Sequence, residues 1–153
     1  MAGWGTRVSA AIDALVSLWS SAGGDLDGVW VVDGAPVGND SATVLVAVGY
    51  SDQDGIAVQG ETAAEGWAGQ PNRESFTINC AAAAFDGAGD QATARSSAFV
   101  IYEACLDALS TDPTLGGVCL RALPGPVTVT QSQTTRGAAC NVQFTVSVDA
   151  FTA

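Results

Sequence analysis

One segment, QATARSSAFVIYEACLDALSTDPTLGG at residues 91–117, declares its type, its start and its stop, and the rest of the chain has to be fitted around it. Ala94, Ala98, Ile101, Cys105, Ala108 and Leu109 recur at intervals of three, four and seven, which lays an apolar stripe along one side of a helix. Arg95, Ser97, Glu103 and Asp107 fall on the other side. Asp90 stands where an N-cap belongs, and Asp112-Pro113 ends the helix because the residue before a proline is pushed out of the helical region. A helix that is apolar on one side needs a surface to cover. Strand-like runs on both sides of it in the sequence make that surface a sheet.

Taken in order, the chain opens with a helix over residues 6–21, in which Val8, Ile12, Leu15 and Trp19 keep the helical period and Gly23-Gly24 stop it. Residues 29–32 read as a short strand between Asp27-Gly28 and Asp33-Gly34, and residues 43–50 (TVLVAVGY) as a second strand, apolar enough to be central in the sheet. From 51 to 73 no period holds, and so long a stretch without structure is usually functional or mobile in a compact domain. It carries Asp52, Asp54, Glu61, Glu65 and a solitary Trp67. Residues 74–84 alternate through Phe76, Ile78 and Cys80 as a third strand ahead of the long helix. After it come residues 119–123, a break at Pro124-Gly125-Pro126, residues 127–134, a turn at Arg136-Gly137, and residues 138–151, where Val142, Phe144, Val146 and Val148 alternate. The last two runs predict a hairpin. Helix, three strands, helix, three strands is the pattern of an α+β domain with two helices packed on one face of a mostly antiparallel sheet, in a single unit spanning residues 1–153.

The 153 residues are about one domain's worth, 48% apolar and only 14% charged, which is too hydrophobic for disorder. Five Arg and no Lys face sixteen acids, for a formal charge of −11. Such a surface repels nucleic acid, because phosphate binding needs Lys and Arg to neutralise it. The four cysteines, Cys80, Cys105, Cys119 and Cys140, are far apart and form no CxxC, and no His completes a zinc site, so they read as reduced packing residues. The apolar stretch behind Arg7 is broken by Asp13 and has a helical rather than a signal-peptide pattern, and no segment reaches the length of a membrane span. The expectation is a soluble, cytoplasmic protein.

Without His there is no Ser-His-Asp or Cys-His catalysis, and without Lys no Schiff base or P-loop lysine. Three weaker patterns remain. Residues 87–92 fit G-x-G-x-x-A between a strand and a helix, although Asp86 and Asp90 would crowd a pyrophosphate and a hairpin follows in place of a parallel return. Residues 50–61 match a calcium loop through Asp52, Asp54, Gly55 and Glu61, but Tyr50 and Val58 fill positions that need ligands, and a strand precedes it. The pairs Asp25/Asp27 and Asp52/Asp54 are the sort that serve glycosidases, yet acids in loops this rich in them pair by chance. The residues themselves therefore name no catalytic centre, metal or cofactor.

Several stretches already described carry a resemblance: VSAAIDALVSLW, VVDGAPVGND, VGYSDQDG, ESFTINC, TARSSAF with IYEACLDALSTDPTLGGVC, and QTTRGAACNVQFTVSV. In these the chain resembles the tail terminator proteins of long-tailed phages of actinobacterial type. The similarity spans essentially the whole chain and is most specific at residues 32–38, at Ala94-Arg95 with Ala98-Phe99, and at residues 112–117. It implies a small α+β protein that forms a hexameric ring on the end of the tail tube, stops tube polymerisation and then presents the surface for head attachment. The implied partners are further copies of the chain, the tail tube protein and the head-tail connector, with DNA passing through the ring unbound. The implied place is the head-proximal end of the tail in the virion, and the host cytoplasm during assembly. A lumen through which DNA slides should not be basic, and the charge of this chain has the required sign. A stopper or neck component of the same junction is the alternative, followed by a small ligand-binding domain or enzyme. The resemblance supplies no catalytic residues. From the sequence, Asp52, Asp54, Trp67 and Arg73 are the candidates to face a neighbouring subunit or the tube, against the plainer reading in which Arg73 and Glu74 only solvate the start of a strand.

Overall fold

A computed structural model describes residues 5–37, 42–63, 71–135 and 137–152. Its elements are α1 (Val8–Ser20), a single 3-10 turn (Gly24–Leu26), β1 (Trp30–Asp33), β2 (Val44–Val48), β3 (Val58–Ala63), β4 (Arg73–Asp86), α2 (Gln91–Thr111), β5 (Arg121–Thr134) and β6 (Gly137–Phe151). The six strands form one sheet in the order β1-β2-β4-β6-β5, with β3 also on β4. Only β1 and β2 are parallel; every other pairing is antiparallel. The α+β domain with two helices and a mostly antiparallel sheet is thus the fold.

The long helix starts and stops at the residues that announce it. The Asp90 carboxylate accepts the Ala92 N–H at 3.1 Å and the Thr93 hydroxyl at 2.8 Å, and the helix gives way at Asp112. Ala94, Ala98, Ile101, Cys105 and Leu109 are buried, while Ala108 stays at the margin. On the sheet, Phe76, Ile78, Cys80, Ala82 and Ala84 of β4 and the alternate residues from Ala138 to Ala150 of β6 form the facing layer. In α1 the fully buried positions are Ala11, Leu15 and Trp19, so the stripe is rotated slightly from the expected one; Val8 and Ile12 are half-buried. Each large apolar side chain removed from water here is worth roughly 1.5–3 kcal/mol. All four cysteines lie in this core as free thiols, with Cys80 pushed up to about 12 by burial.

The helices are also anchored end-on. No side chain of α1 caps its start; instead Glu74, in β4 and 4% exposed, accepts the Arg7 N–H at 2.6 Å and the Thr6 hydroxyl at 2.9 Å. A carboxylate at the positive end of a helix is favourable both as a hydrogen-bond acceptor and as a charge. Glu74 therefore does not solvate the strand. Glu74→Gln, which puts amide hydrogens where acceptors are needed, is expected to lower stability by about 1–2 kcal/mol, read from the urea midpoint.

Two differences from the sequence reading concern strands. Residues 51–73 are not free of structure: Val58–Ala63 pairs with β4 in register, Val58↔Ile78 to Ala63↔Arg73. Its core-side positions are Val58, Gly60 and Thr62, and with no side chain at Gly60 the two-residue apolar period never shows. The two runs on either side of Pro124-Gly125-Pro126 are one strand, β5, with a bulge between Pro124 and Val127. Prolines are tolerated there because β5 is an edge strand, whose outer side donates to no ladder among the described residues. A Cβ at Gly125 would meet the Thr145 hydroxyl, so a larger residue there makes that side chain turn aside.

Both irregularities fall in one row of the sheet. Asn79 pairs with Thr145; on the β5 side the bulge passes over Thr145, and on the other side β2 and β3 meet end to end at Asn79. The Asn79 carbonyl accepts the N–H groups of Gly49 and Tyr50 at 2.8 and 2.9 Å, while its own N–H donates to the Ala57 carbonyl at 2.9 Å. Residues 49–57 are thus a loop thrown out of an otherwise continuous strand.

Candidate assembly interface

The sequence candidates fall in two places. Asp52 and Asp54 lie in the loop over residues 49–57, which Asn79 holds shut through its side-chain N–H to the Ile56 carbonyl at 2.8 Å. Asp54 accepts the Ile56 N–H at 3.0 Å and so closes its own turn. Asp52 accepts the side-chain amide of Asn141 at 2.7 Å, and the Tyr50 carbonyl accepts that of Gln143 at 2.8 Å, so the loop is pinned onto the helix-free face of β6. Arg73 begins β4, six residues before Asn79 and hence about 20 Å along the strand. The structure therefore does not bring Arg73 together with the two aspartates. Trp67 lies outside the described residues.

Around Arg73 the helix-free face is polar. Asp149 accepts the Ser75 hydroxyl at 2.7 Å and the Arg121 guanidinium at 2.9 Å, which together hold its carboxyl below the usual range, the Ser75 bond first. A shallow groove of about 360 Å³ between Gln59, Glu61, Ser75, Ser147 and Asp149 runs beside this pair. Further along the face, Leu45, Ala47 and Ala81 are buried beneath Trp30, Val32, Tyr50 and Phe85.

The feature that sequence reasoning passed over is β5. It ends the sheet, and among the described residues no strand pairs with its outer side. Leu123, Val127 and Val129 are 41–46% exposed, with Leu120 just before the strand and Phe151 at the end of β6 exposed to a similar degree. Val127 and Val129 pair with Phe144 and Val142, so they point to the helix side, yet they stay exposed there: α2 lies mainly over β4 and β6 and reaches β5 less, and α1 lies against β1. The strand is nevertheless held firmly. Arg95 donates to the Gln131 side chain at 2.9 Å, Gln91 to the Ser132 carbonyl at 2.7 Å, and Gln133 to the Gly89 carbonyl at 3.0 Å, all from or to the start of α2. A long edge of Val and Thr with no charge from Ala122 to Thr135 is the kind that proteins blunt unless something pairs with it. Charge was the available signal: between Asp112 and Asp149 there is no acid at all in a chain with sixteen.

The weaker chemical patterns resolve into local structure. In the Gly87–Ala92 turn the Asp86 carboxylate accepts the Asp90 N–H at 2.8 Å, and Asp90 itself occupies the helix start where a phosphate would lie. The segments before and after α2 run in the same direction, but with β6 between them. Of the calcium-loop residues, Glu61 belongs to β3, away from Asp52 and Asp54 in their loop. Asp25 lines a hollow of about 400 Å³ between the end of α1 and α2, opposite Asp107. Among the described residues no helix is long and apolar enough to cross a membrane.

No protein-family model matches the chain, and no curated protein matches it significantly.

Proposed function

We propose that this chain is a structural assembly protein of a phage tail, which caps the tail tube as a ring, halts tube growth and offers the surface on which the head docks. The observation that carries the reading is an unfinished sheet: helices cover one face, and among the described residues no strand pairs with the outer side of β5, on a chain that otherwise resembles tail terminators along its whole length. Edges of this kind are completed by neighbours through strand addition, and a heterologous contact that closes makes a ring. The acidic surface suits a lumen that passes DNA without holding it.

The test is to add the purified protein to the tail tube protein from the same source and measure tube lengths by electron microscopy. Tubes are expected to stop at a length set by the ratio of the two proteins, and the capping to weaken about tenfold with Trp67→Ala, as for an anchor residue worth roughly 1.4 kcal/mol or more. Tubes that grow equally long with and without the protein would remove the assembly reading.

A further inference from the structure

We infer that the outer side of β5, at residues 127–133, pairs with the β1 edge of a second copy of this chain, so that the sheet continues from one copy into the next. The inference rests on the assembly reading only in taking copies of the chain as one another's neighbours.

Three observations converge. The first is direction. β5 is antiparallel to β6, β6 to β4, and β4 to β2, while β1 is parallel to β2, so β5 and β1 run oppositely at the two ends of one sheet. A neighbour placed in the same orientation beside β5 therefore presents β1 antiparallel to it, the more favourable pairing.

The second is height. Val31, Val46, Ala82, Val142 and Val129 form a single row across the sheet. The outer edge of β1, on which no strand pairs among the described residues, and the proline-free part of β5 thus stand at the same level, whereas the lower part of β5 is blunted by Pro124 and Pro126, which have no N–H to give. On the core side, Val127 and Val129 are exposed although α2 reaches β5, while α1 lies against β1. A continued sheet brings the α1 of the next copy towards these two bare valines.

The third is charge, and it separates this contact from a two-fold one. Residues 113–148 hold two Arg and no acid, and Arg95 stands beside β5 as well. Residues 8–72, which contain β1, hold nine acids and no Arg. Arg121 is already paired with Asp149, which leaves Arg95, bonded only to the neutral Gln131 side chain, as the described charge beside β5. Two β5 edges meeting each other would bring like charges together; β5 against the β1 of another copy, which Asp27 precedes and Asp33 ends, brings opposite ones. Four residues of ladder make a small interface, so the contact is weak for one pair and gains when a ring closes.

Disulfide trapping decides it. Val129→Cys and Val31→Cys are made as separate proteins, each checked for an unchanged melting temperature, and oxidised with diamide alone and as an equimolar mixture; the four native cysteines are buried, and the wild type controls for them. The mixture is expected to give at least ten times more linked dimer than either protein alone, and Thr130→Glu added to the β5 variant should reduce that yield at least fivefold. Linking of Val129→Cys alone would overturn the inference in favour of a two-fold contact. A mixture that stays unlinked, with Val127→Cys and Gln131→Cys replacing Val129→Cys to cover a two-residue shift of register on the same face, would overturn it outright. Either failure leaves the tube-length result to stand or fall by itself.

Discussion

Trp19→Ala should lower stability by about 4 kcal/mol, in the range of large aromatic deletions from a core. Trp19 is the side chain through which three elements meet. It is 0% exposed on α1, its indole N–H donates to the Cys105 carbonyl of α2 at 3.1 Å, and its ring lies 5.9 Å from that of Phe144 on β6. Phe144 in turn packs edge-on against Tyr102 at 5.0 Å. Truncation leaves a cavity bounded by both helices and the sheet, none of which can close it without losing its own register. In a chain of this length the loss corresponds to a drop of roughly 10 °C in melting temperature. Trp19→Phe should cost only about 1–2 kcal/mol, because the aromatic contact survives and one hydrogen bond goes. Equal melting temperatures for the wild type and Trp19→Ala would show that the two helices are not held to the sheet through this ring.

The second large effect is expected at Gly137, the first residue of β6. Its φ of +108° lies where side chains are disfavoured, and a Cβ there would run into the Asp86 carbonyl of β4. Gly137→Ala should therefore cost about 3 kcal/mol, roughly 1–3 of it from the backbone conformation alone. Because Gly137 also closes the β5–β6 ladder against Thr134, the damage should spread along the hairpin. Calorimetry gives the number, and an unchanged transition would mean that the β4 end moves aside at no cost.

What could be read in advance was whatever local chemistry decides. Asp90, Pro113 and the spacing from Ala94 to Leu109 define α2 within a few residues, since a cap, a stop and a 3.6-residue period are all properties of neighbours in the chain. β3 was illegible because Gly60 removes the middle of its apolar pattern. In the sequence β5 looks like two strands, because proline interrupts a sequence more surely than it interrupts an edge. Site residues fared differently. That Asp52 turns back onto Asn141, 89 residues away, or that Glu74 serves the start of α1, 67 residues earlier, follows from topology, which no local pattern carries. The edge position of β5 is of the same kind, although the missing acids between residues 113 and 148 mark the stretch as unlike the rest.

The row through Asn79 and Thr145 has a mechanical consequence. On its two sides the flanking strands are interrupted, at residues 49–57 and at the bulge after Pro124, so β4 and β6 are the strands that pass through it unbroken. The sheet is therefore two plates joined at this row by β4 and β6 without a break and by β5 through its bulge, with α2 laid across both, from Arg95 at Gln131 to Leu109 beside Ala122 and Pro124. The upper plate holds β1, β2 and the exposed part of β5; the lower holds β3, Arg73 and the Arg121–Asp149 pair. Bulges raise the local twist of a sheet, so the plates face different directions. A force applied to the lower plate therefore reaches the upper one through β4 and β6 and through the two helices, of which α1 is tied to Glu74 in the lower plate and lies against β1 in the upper.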